Sequence, residues 1–202
     1  MKLAPLVLLA LAAGFAGCGG CSRTAEGPVK EITSENIEKV GDTWKVNFTS
    51  KIDAPVDKVW EVMAQPERMH EVMPDNVLKS ELINKGDDNS KVVDLVFKLD
   101  ILPPGFKVQS IRNQLQFFPS EKRISQKSVD FKLADISSEY KLTPTPDGKG
   151  TILTFTQTSK DKAPMLVDSL QKGALRETYI RQVQIVNKVL GLDGQTAAAP
   201  TG

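Results

Sequence analysis

The segment from Trp44 to Pro74 constrains the fold of this chain more than any other part of it. It reads WKVNFTSKIDAPVDKVWEVMAQPERMHEVMP: a strand of alternating polarity, an Ala-Pro turn and two short helices, the second of which ends at a proline. Alternation with period two separates the strand into an apolar face and a polar face. The apolar face consists of Trp44, Val46, Phe48 and Ile52. One face of this strand therefore meets a core.

The same alternation recurs along the rest of the chain and predicts a sheet of about seven strands. After the first strand we predict strands at Val77 to Lys85, around Val93 to Ile101, around Ile111 to Phe117, at Ile124 to Phe131, at Ile136 to Thr143 and at Thr151 to Ser159. Turn-rich connections such as GDDN and TPTPDGKG join them. Connections this short favour antiparallel hairpins throughout.

The two short helices differ in their apolar residues. In the first, Val56, Val59 or Trp60, and Met63 follow helical spacing and predict ordinary core packing. The second, Pro66 to Met73, carries Met69 and Met73 four residues apart. Because methionine adapts to irregular apolar surfaces, this pair is either a pocket lid or plain core.

A long helix is predicted from Pro164 to about Leu190. Its apolar stripe changes phase: Leu166, Leu170 and Ala174 mark one face, whereas Tyr179, Val183, Val186 and Leu190 mark another. We therefore expect a bend or break near Gly173, with the first part covering the mouth of a pocket. The residues after Leu190 form a low-complexity tail that begins with a helix-stopping glycine.

Composition limits the classes of function. The 202 residues are 40% hydrophobic and 25% charged, which suits one globular domain with a substantial core. The 26 basic residues are balanced by 25 acidic ones. No basic excess is present to neutralise a phosphate backbone, so nucleic acid is not an expected partner.

The first residues read as an export signal. Lys2 precedes an apolar run from Leu3 to Phe15 that is too short to span a membrane comfortably. The sequence Phe15-Ala16-Gly17-Cys18 resembles a bacterial lipobox, which implies a lipid on Cys18. Cleavage after Ala16 by the ordinary signal peptidase is the alternative. Cys21 follows in a Gly-rich setting that does not favour a redox pair with Cys18.

These features predict the domain organisation and the location. Residues 1–17 form a signal peptide, 18–41 a tether, 42–192 the folded domain and 193–202 a flexible tail. Within the tether, Ser34 could cap a short helical turn through Val40. We expect a lipid-anchored protein on the periplasmic face of a bacterial membrane, the outer membrane in preference to the inner one.

Taken together, the order of elements and the segment KIDAPVDKVWEVM resemble the START/Bet v 1-like (SRPBCC, helix-grip) superfamily, nearest the polyketide cyclase/dehydrase and coenzyme Q-binding branch. The residues that carry the resemblance are Ile52, Ala54, Pro55, Val59, Trp60 and Pro74. It covers about residues 42 to 192. It implies an α+β fold in which a curved antiparallel sheet wraps around the long C-terminal helix. It also implies an internal cavity for a lipid, a quinone or a polyketide-like molecule.

The residues expected to line that cavity come from the middle strands, the second helix and the C-terminal helix. They are Met69, Met73, Leu95, Phe97, Leu99, Asn113, Leu115, Phe117, Tyr140, Met165, Leu166 and Leu170. Asn113, and Ser138 with Tyr140, fall in phase with apolar residues, either to orient a ligand or because a bulge shifts the phase.

Catalytic, metal-binding and cofactor-binding residues are not predicted. His70 is the only histidine and is expected on the surface, and the carboxylates alternate away from the apolar face. The sequence therefore favours a membrane-anchored lipoprotein that binds or shuttles a hydrophobic small molecule. The alternatives are a cyclase- or aromatase-like enzyme and a tethered partner-binding domain whose cavity is filled by its own side chains.

Overall fold

The computed structural model describes residues 32–72, 77–85, 89–98, 108–131, 134–162 and 168–192. The strands are β1 (Ile32–Val40), β2 (Thr43–Ile52), β3 (Val77–Lys85), β4 (Ser90–Lys98), β5 (Val108–Phe118), β6 (Arg123–Val129), β7 (Ala134–Pro144) and β8 (Thr151–Asp161). The helices are α1 (Val56–Met63), α2 (Met69–Val72) and α3 (Asp168–Val189), with 3-10 turns at Pro66–Arg68 and Pro119–Glu121.

The strands form one antiparallel sheet of eight strands in the order β1-β2-β8-β7-β6-β5-β4-β3. The predicted alternation is confirmed: along β2, residues from Trp44 to Ile52 are buried at every second position. The face that carries Phe48 meets α3 and is called the inner face; the opposite, mostly polar face is called the outer face. The α+β fold with a long C-terminal helix against an antiparallel sheet is therefore confirmed.

Strand β1 occupies a segment for which the sequence analysis expected a tether with a helical turn. The helical turn from Ser34 to Val40 is wrong, because these residues pair with β2, with Ile37 opposite Val46. A two-residue turn with Gly41 at a φ of +64° joins the two strands. The spacing of Ile37 and Val40 fits one face of a helix, whereas in the strand the two side chains lie on opposite faces, Ile37 buried and Val40 exposed. The deciding partner is the edge of β2.

The C-terminal helix corrects a second expectation. A break at Gly173 is wrong, since α3 is continuous from Asp168 to Val189. Its buried face in the first half runs through Gln171 and Leu175, and continues through Tyr179 and Val183 without a change of phase. The apparent phase shift arose because a buried glutamine does not register in a hydrophobic pattern.

The end of α3 is set by Gly191. Its N–H donates to the Lys188 carbonyl, and the Leu192 N–H donates to the Asn187 carbonyl, at 3.0 and 2.8 Å. With a φ of +69° at Gly191, this is a Schellman motif. The helix-stopping glycine predicted after Leu190 is confirmed.

The first helix packs as predicted, and the second is shorter than predicted. In α1, the side chain of Val59 is fully buried, whereas that of Trp60 is half-buried. The predicted helix from Pro66 to Met73 is a 3-10 turn followed by the single-turn helix α2, and Met73 lies outside the described residues. The Ser80 hydroxyl donates to the Pro66 carbonyl at 3.1 Å, which fixes the 3-10 turn to β3.

The continuity of α3 generates a stability prediction. Gly173 is exposed in mid-helix, and a Cβ there would meet nothing within 4 Å. Gly173→Ala should therefore raise the free energy of unfolding by about 1 kcal/mol, measured by urea denaturation. Gly191→Ala is the matched control and should lower it, because its positive φ disfavours any side chain. A loss of stability in Gly173→Ala would contradict an unbroken helix.

Candidate ligand-binding site

The described members of the predicted site lie together on the inner face. Leu95 on β4, Leu115 and Phe117 on β5, and Tyr140 on β7 are buried in one contiguous apolar cluster. Asn113 on β5 is buried beside them, at 2% exposure. Met69 is half-buried at the start of α2 and packs against the same cluster. The sheet thus brings half of the predicted residues onto one surface.

The other half of the predicted site residues fall outside what the structure describes. Met73, Leu99, Met165 and Leu166 lie outside the described residues, as do the side chains of Phe97 and Leu170. The lipidation site Cys18 also lies outside them. The enclosed cavity and its complete lining therefore stay predictions.

Strand register arranges the inner face in transverse rows. One row is aromatic and crosses from β5 to β2 through paired residues, namely Phe117, Ile124, Tyr140, Phe155 and Phe48. The Tyr140 and Phe155 ring centres are 4.8 Å apart. Trp60 from α1 meets Phe117 edge to face at 6.3 Å. This row is a wall of rings that suits planar or branched apolar groups.

The next two rows, both on one side of the aromatic row, carry polar groups. In the first, Gln126, Ser138 and Gln157 are consecutive cross-strand partners. In the second, Asn113 is opposite Ser128. The Ser128 hydroxyl accepts a hydrogen bond from the Ile136 N–H at 2.9 Å. By contrast, Asn113 Oδ1 and Ser138 Oγ are buried and have no hydrogen-bond partner within the described part of the chain. Ser159 Oγ and Trp44 Nε1 on the same face, and Gln171 Oε1 and Asn187 Oδ1 on α3, are likewise buried without a partner there.

Both tyrosines of the protein are buried against this face. The Tyr140 hydroxyl donates to Gln182 Oε1 on α3 at 3.3 Å. The Tyr179 hydroxyl donates to Ser50 Oγ at 2.9 Å. Burial raises the pKa of Tyr140 to about 12, and it raises the pKa of Tyr179 to about 12 against the opposing effect of Ser50. Both phenols are therefore neutral hydrogen-bond donors at physiological pH.

Lys91 is a residue of this surface that the sequence analysis did not identify. Its ammonium group donates to the Ala64 carbonyl and to Glu67 Oε1, both at 2.9 Å, and lies 5.5 Å from the centre of the Phe117 ring. It thereby ties β4 to the segment that follows α1. The available signal was its position two residues before Val93, in phase with the apolar residues of β4.

A groove of about 420 Å³ lies on the outer face, and its lining also includes Ser138 and Gln157. Hydroxyl, amide and charged groups of five strands line most of it, among them Asn36, Lys45, Asn47, Ser137, Glu139, Thr156 and Thr158. Its polar lining does not suit a hydrophobic ligand, so it is not the predicted site.

Acid-base and metal chemistry have few available groups here. His70 is exposed on α2. The described residues contain no cluster of three or more His, Cys, Asp or Glu side chains that could hold a metal ion. Within the same residues, no helix is both long and apolar enough to cross a membrane.

With the fold and the inner face established, the chain can be placed in a family. It belongs to the family described as polyketide cyclase/dehydrase and lipid transport, which it matches over residues 43–184. The predicted superfamily and the polyketide cyclase/dehydrase family within it are thereby confirmed. A comparison with curated protein sequences found no match.

Solved structures with the same fold share little sequence with this chain. An aromatase/cyclase, Zhui, from a Streptomyces species has a TM-score of 0.63 at 18% identity, covering 77% of this chain and 98% of its own. A START superfamily protein from Mycobacterium smegmatis has a TM-score of 0.59 at 12% identity, covering 73% and 98%. Ara h 8.0201 has a TM-score of 0.59 at 10% identity, covering 75% and 99%. At these identities the likeness is one of fold.

The buried tyrosines generate a pH prediction. An unfolded tyrosine ionises near pH 10, whereas both folded ones ionise near 12, so the folded state holds its protons more tightly. The stability they contribute is complete below pH 10 and is lost as pH rises through about 12, at roughly 1.4 kcal/mol per pH unit for each tyrosine. Tyrosinate absorbance of the native protein should stay absent at pH 10.5. An ordinary titration midpoint near 10 in the folded protein would contradict this burial.

Proposed function

We propose that this protein binds a hydrophobic small molecule between the inner face of β4–β7 and α3, and carries it at a membrane surface. The observation that supports this most directly is the combination on one surface of an aromatic row with the unpaired atoms Asn113 Oδ1 and Ser138 Oγ. Ligand sites in proteins are mostly apolar, with a small number of polar groups that fix orientation.

The energetics favour a ligand role for these two polar side chains. A buried polar atom without a partner costs about 1–3 kcal/mol relative to a paired one. A ligand that brings a donor to Asn113 Oδ1 and a donor or acceptor to Ser138 Oγ would remove that cost. Binding would then depend on the polar groups of the ligand as well as on its apolar area.

Carriage is favoured over catalysis by the kinds of group on the inner face. The unpaired groups are an amide oxygen and an aliphatic hydroxyl, neither of which titrates near neutrality. The tyrosines, with pKa values of about 12, do not act as bases at physiological pH. Lys91 is already held by Glu67.

Membrane attachment forms the second part of the proposal. It is supported by the apolar run to Phe15 and by the small residues before Cys18. A lipid on Cys18 would leave thirteen residues, 19–31, between the anchor and the start of β1 at Ile32. That length of chain reaches at most about 45 Å, so the domain would stay near the surface from which a lipid-soluble ligand is collected.

Filling the proposed site should abolish binding. Leu115→Trp should remove the molecules that co-purify with the full-length protein, detected by mass spectrometry of an organic extract, because the larger ring takes their volume. Overpacking should cost about 1–3 kcal/mol of stability. Gln114→Trp is the matched control: it is the neighbouring residue on β5 but exposed on the outer face, and it should retain the bound molecules.

Two results would overturn the binding proposal. One is a folded Leu115→Trp protein that keeps the wild-type complement of bound molecules. The other is a wild-type protein that co-purifies with none and takes up no dansyl-labelled fatty acid. Circular dichroism of each variant separates loss of binding from loss of fold.

Anchoring is tested separately. Cys18→Ser should move the protein out of the membrane fraction or stall its processing, because acyl chains contribute about 0.8 kcal/mol per buried CH₂. Cys21→Ser is the matched control and should leave fractionation unchanged. If the Cys18→Ser protein fractionates like the wild type and has an unmodified mature mass, the lipid anchor is excluded while ligand binding is untouched.

A further inference from the structure

Strand β3 is an edge of the sheet that carries unusually exposed apolar side chains. Leu78, Leu82 and Ile83 are 51%, 36% and 45% exposed. Strand β3 pairs with β4 on one side, and no described strand pairs with its other side. An open apolar edge of this kind is prone to pair with another strand. The opposite edge, β1, differs, since most of its exposed side chains are polar or charged.

The faces of β3 are set by its pairing with β4. Ser80 and Leu82 are opposite Leu95 and Val93, so they belong to the inner face. Lys79 and Glu81 are opposite Val96 and Asp94, so they belong to the outer face, where they form an ion pair with each other. Register shifts leave Leu78 and Ile83 without partners on β4.

We propose that β3 pairs antiparallel with β3 of a second copy of this chain, with a two-fold axis at Ser80. Lys79 then lies opposite Glu81 of the partner subunit, and Glu81 lies opposite Lys79 of the partner subunit. Leu82 comes next to Leu78 of the partner subunit. The two sheets continue into one another, and both exposed edges are covered.

Charge complementarity selects the second copy and this register. A two-fold axis perpendicular to the sheet keeps every side chain on its own face, so the axis must pass through a residue position. An axis at Lys79 would oppose two lysines, and an axis at Glu81 would oppose two glutamates. An axis at Leu82 would oppose Lys79 and Lys85. Ser80 is the position in the regular stretch Lys79–Leu82 at which opposite charges meet.

The test uses two variants, each of which should dimerise poorly alone. A mixture of the two should dimerise like the wild type. In the full-length protein in detergent, Lys79→Glu or Glu81→Lys should weaken dimerisation by about tenfold or more, measured by analytical ultracentrifugation, because each variant opposes like charges twice. An equal mixture of the two variants should recover the wild-type dimer, since one copy is then acidic and the other basic. Glu38→Lys on β1 is the control and should dimerise normally.

Three outcomes would overturn the proposal: a monomeric wild-type protein, single variants that dimerise like the wild type, or a mixture that does not recover. A wild-type monomer that instead binds lipid vesicles through this edge would assign the apolar side chains to a membrane surface. Ligand extraction from the same variants keeps this result independent of the proposed binding site.

Discussion

The position of Tyr179 determines how the helix and the sheet fit together. Its ring is parallel to Phe48 on β2 within 5°, with centres 4.3 Å apart, and it stacks on Phe155 of β8 at 5.4 Å. Its hydroxyl donates a hydrogen bond to Ser50 Oγ at 2.9 Å, and both residues are fully buried. Aromatic stacking and a buried hydrogen bond act on the same side chain, so α3 has one position on the sheet in which both are made.

The attachment of α3 is asymmetric across the sheet. Besides Tyr179, the helix is held to β1 by Lys39 with Asp168 and by Arg176 with Glu35, each at 2.7 Å. These contacts lie at the β1 and β2 side. Of the described ligand-site residues, Tyr140 on β7 also contacts α3 through Gln182, whereas Leu95, Asn113 and Leu115 lie farther across the sheet on β4 and β5. A helix fixed along one side of a wide sheet leaves the inner face of the other side to be covered by something else. The binding site proposed above lies on that other side of the sheet.

Sequence reasoning recovered the parts of the fold that depend on local pattern. Alternating strands such as β2 were predicted with the correct buried face, because half-buried strands impose a period of two. Two errors have a common origin in non-local partners. Strand β1 is a strand only because the edge of β2 is free to pair with it. Gln171 is buried at 1% exposure because its amide donates to Asp161, a contact that no periodicity reveals. Lys91 was not predicted as a site residue for the same reason, because its partners belong to the segment after α1.

The polar residues of the inner face distinguish what folding requires from what function requires. Phase alone predicted that Asn113 and Ser138 lie among apolar side chains, but it could not show whether other groups of the protein satisfy them. The structure distinguishes them from Ser128, which lies in the same rows and hydrogen-bonds to Ile136. A chain that only had to fold would be more stable with apolar side chains at the two unpaired positions. Local violations of this kind are expected where a protein meets its ligand, and these two lie on β5 and β7, within the site proposed above.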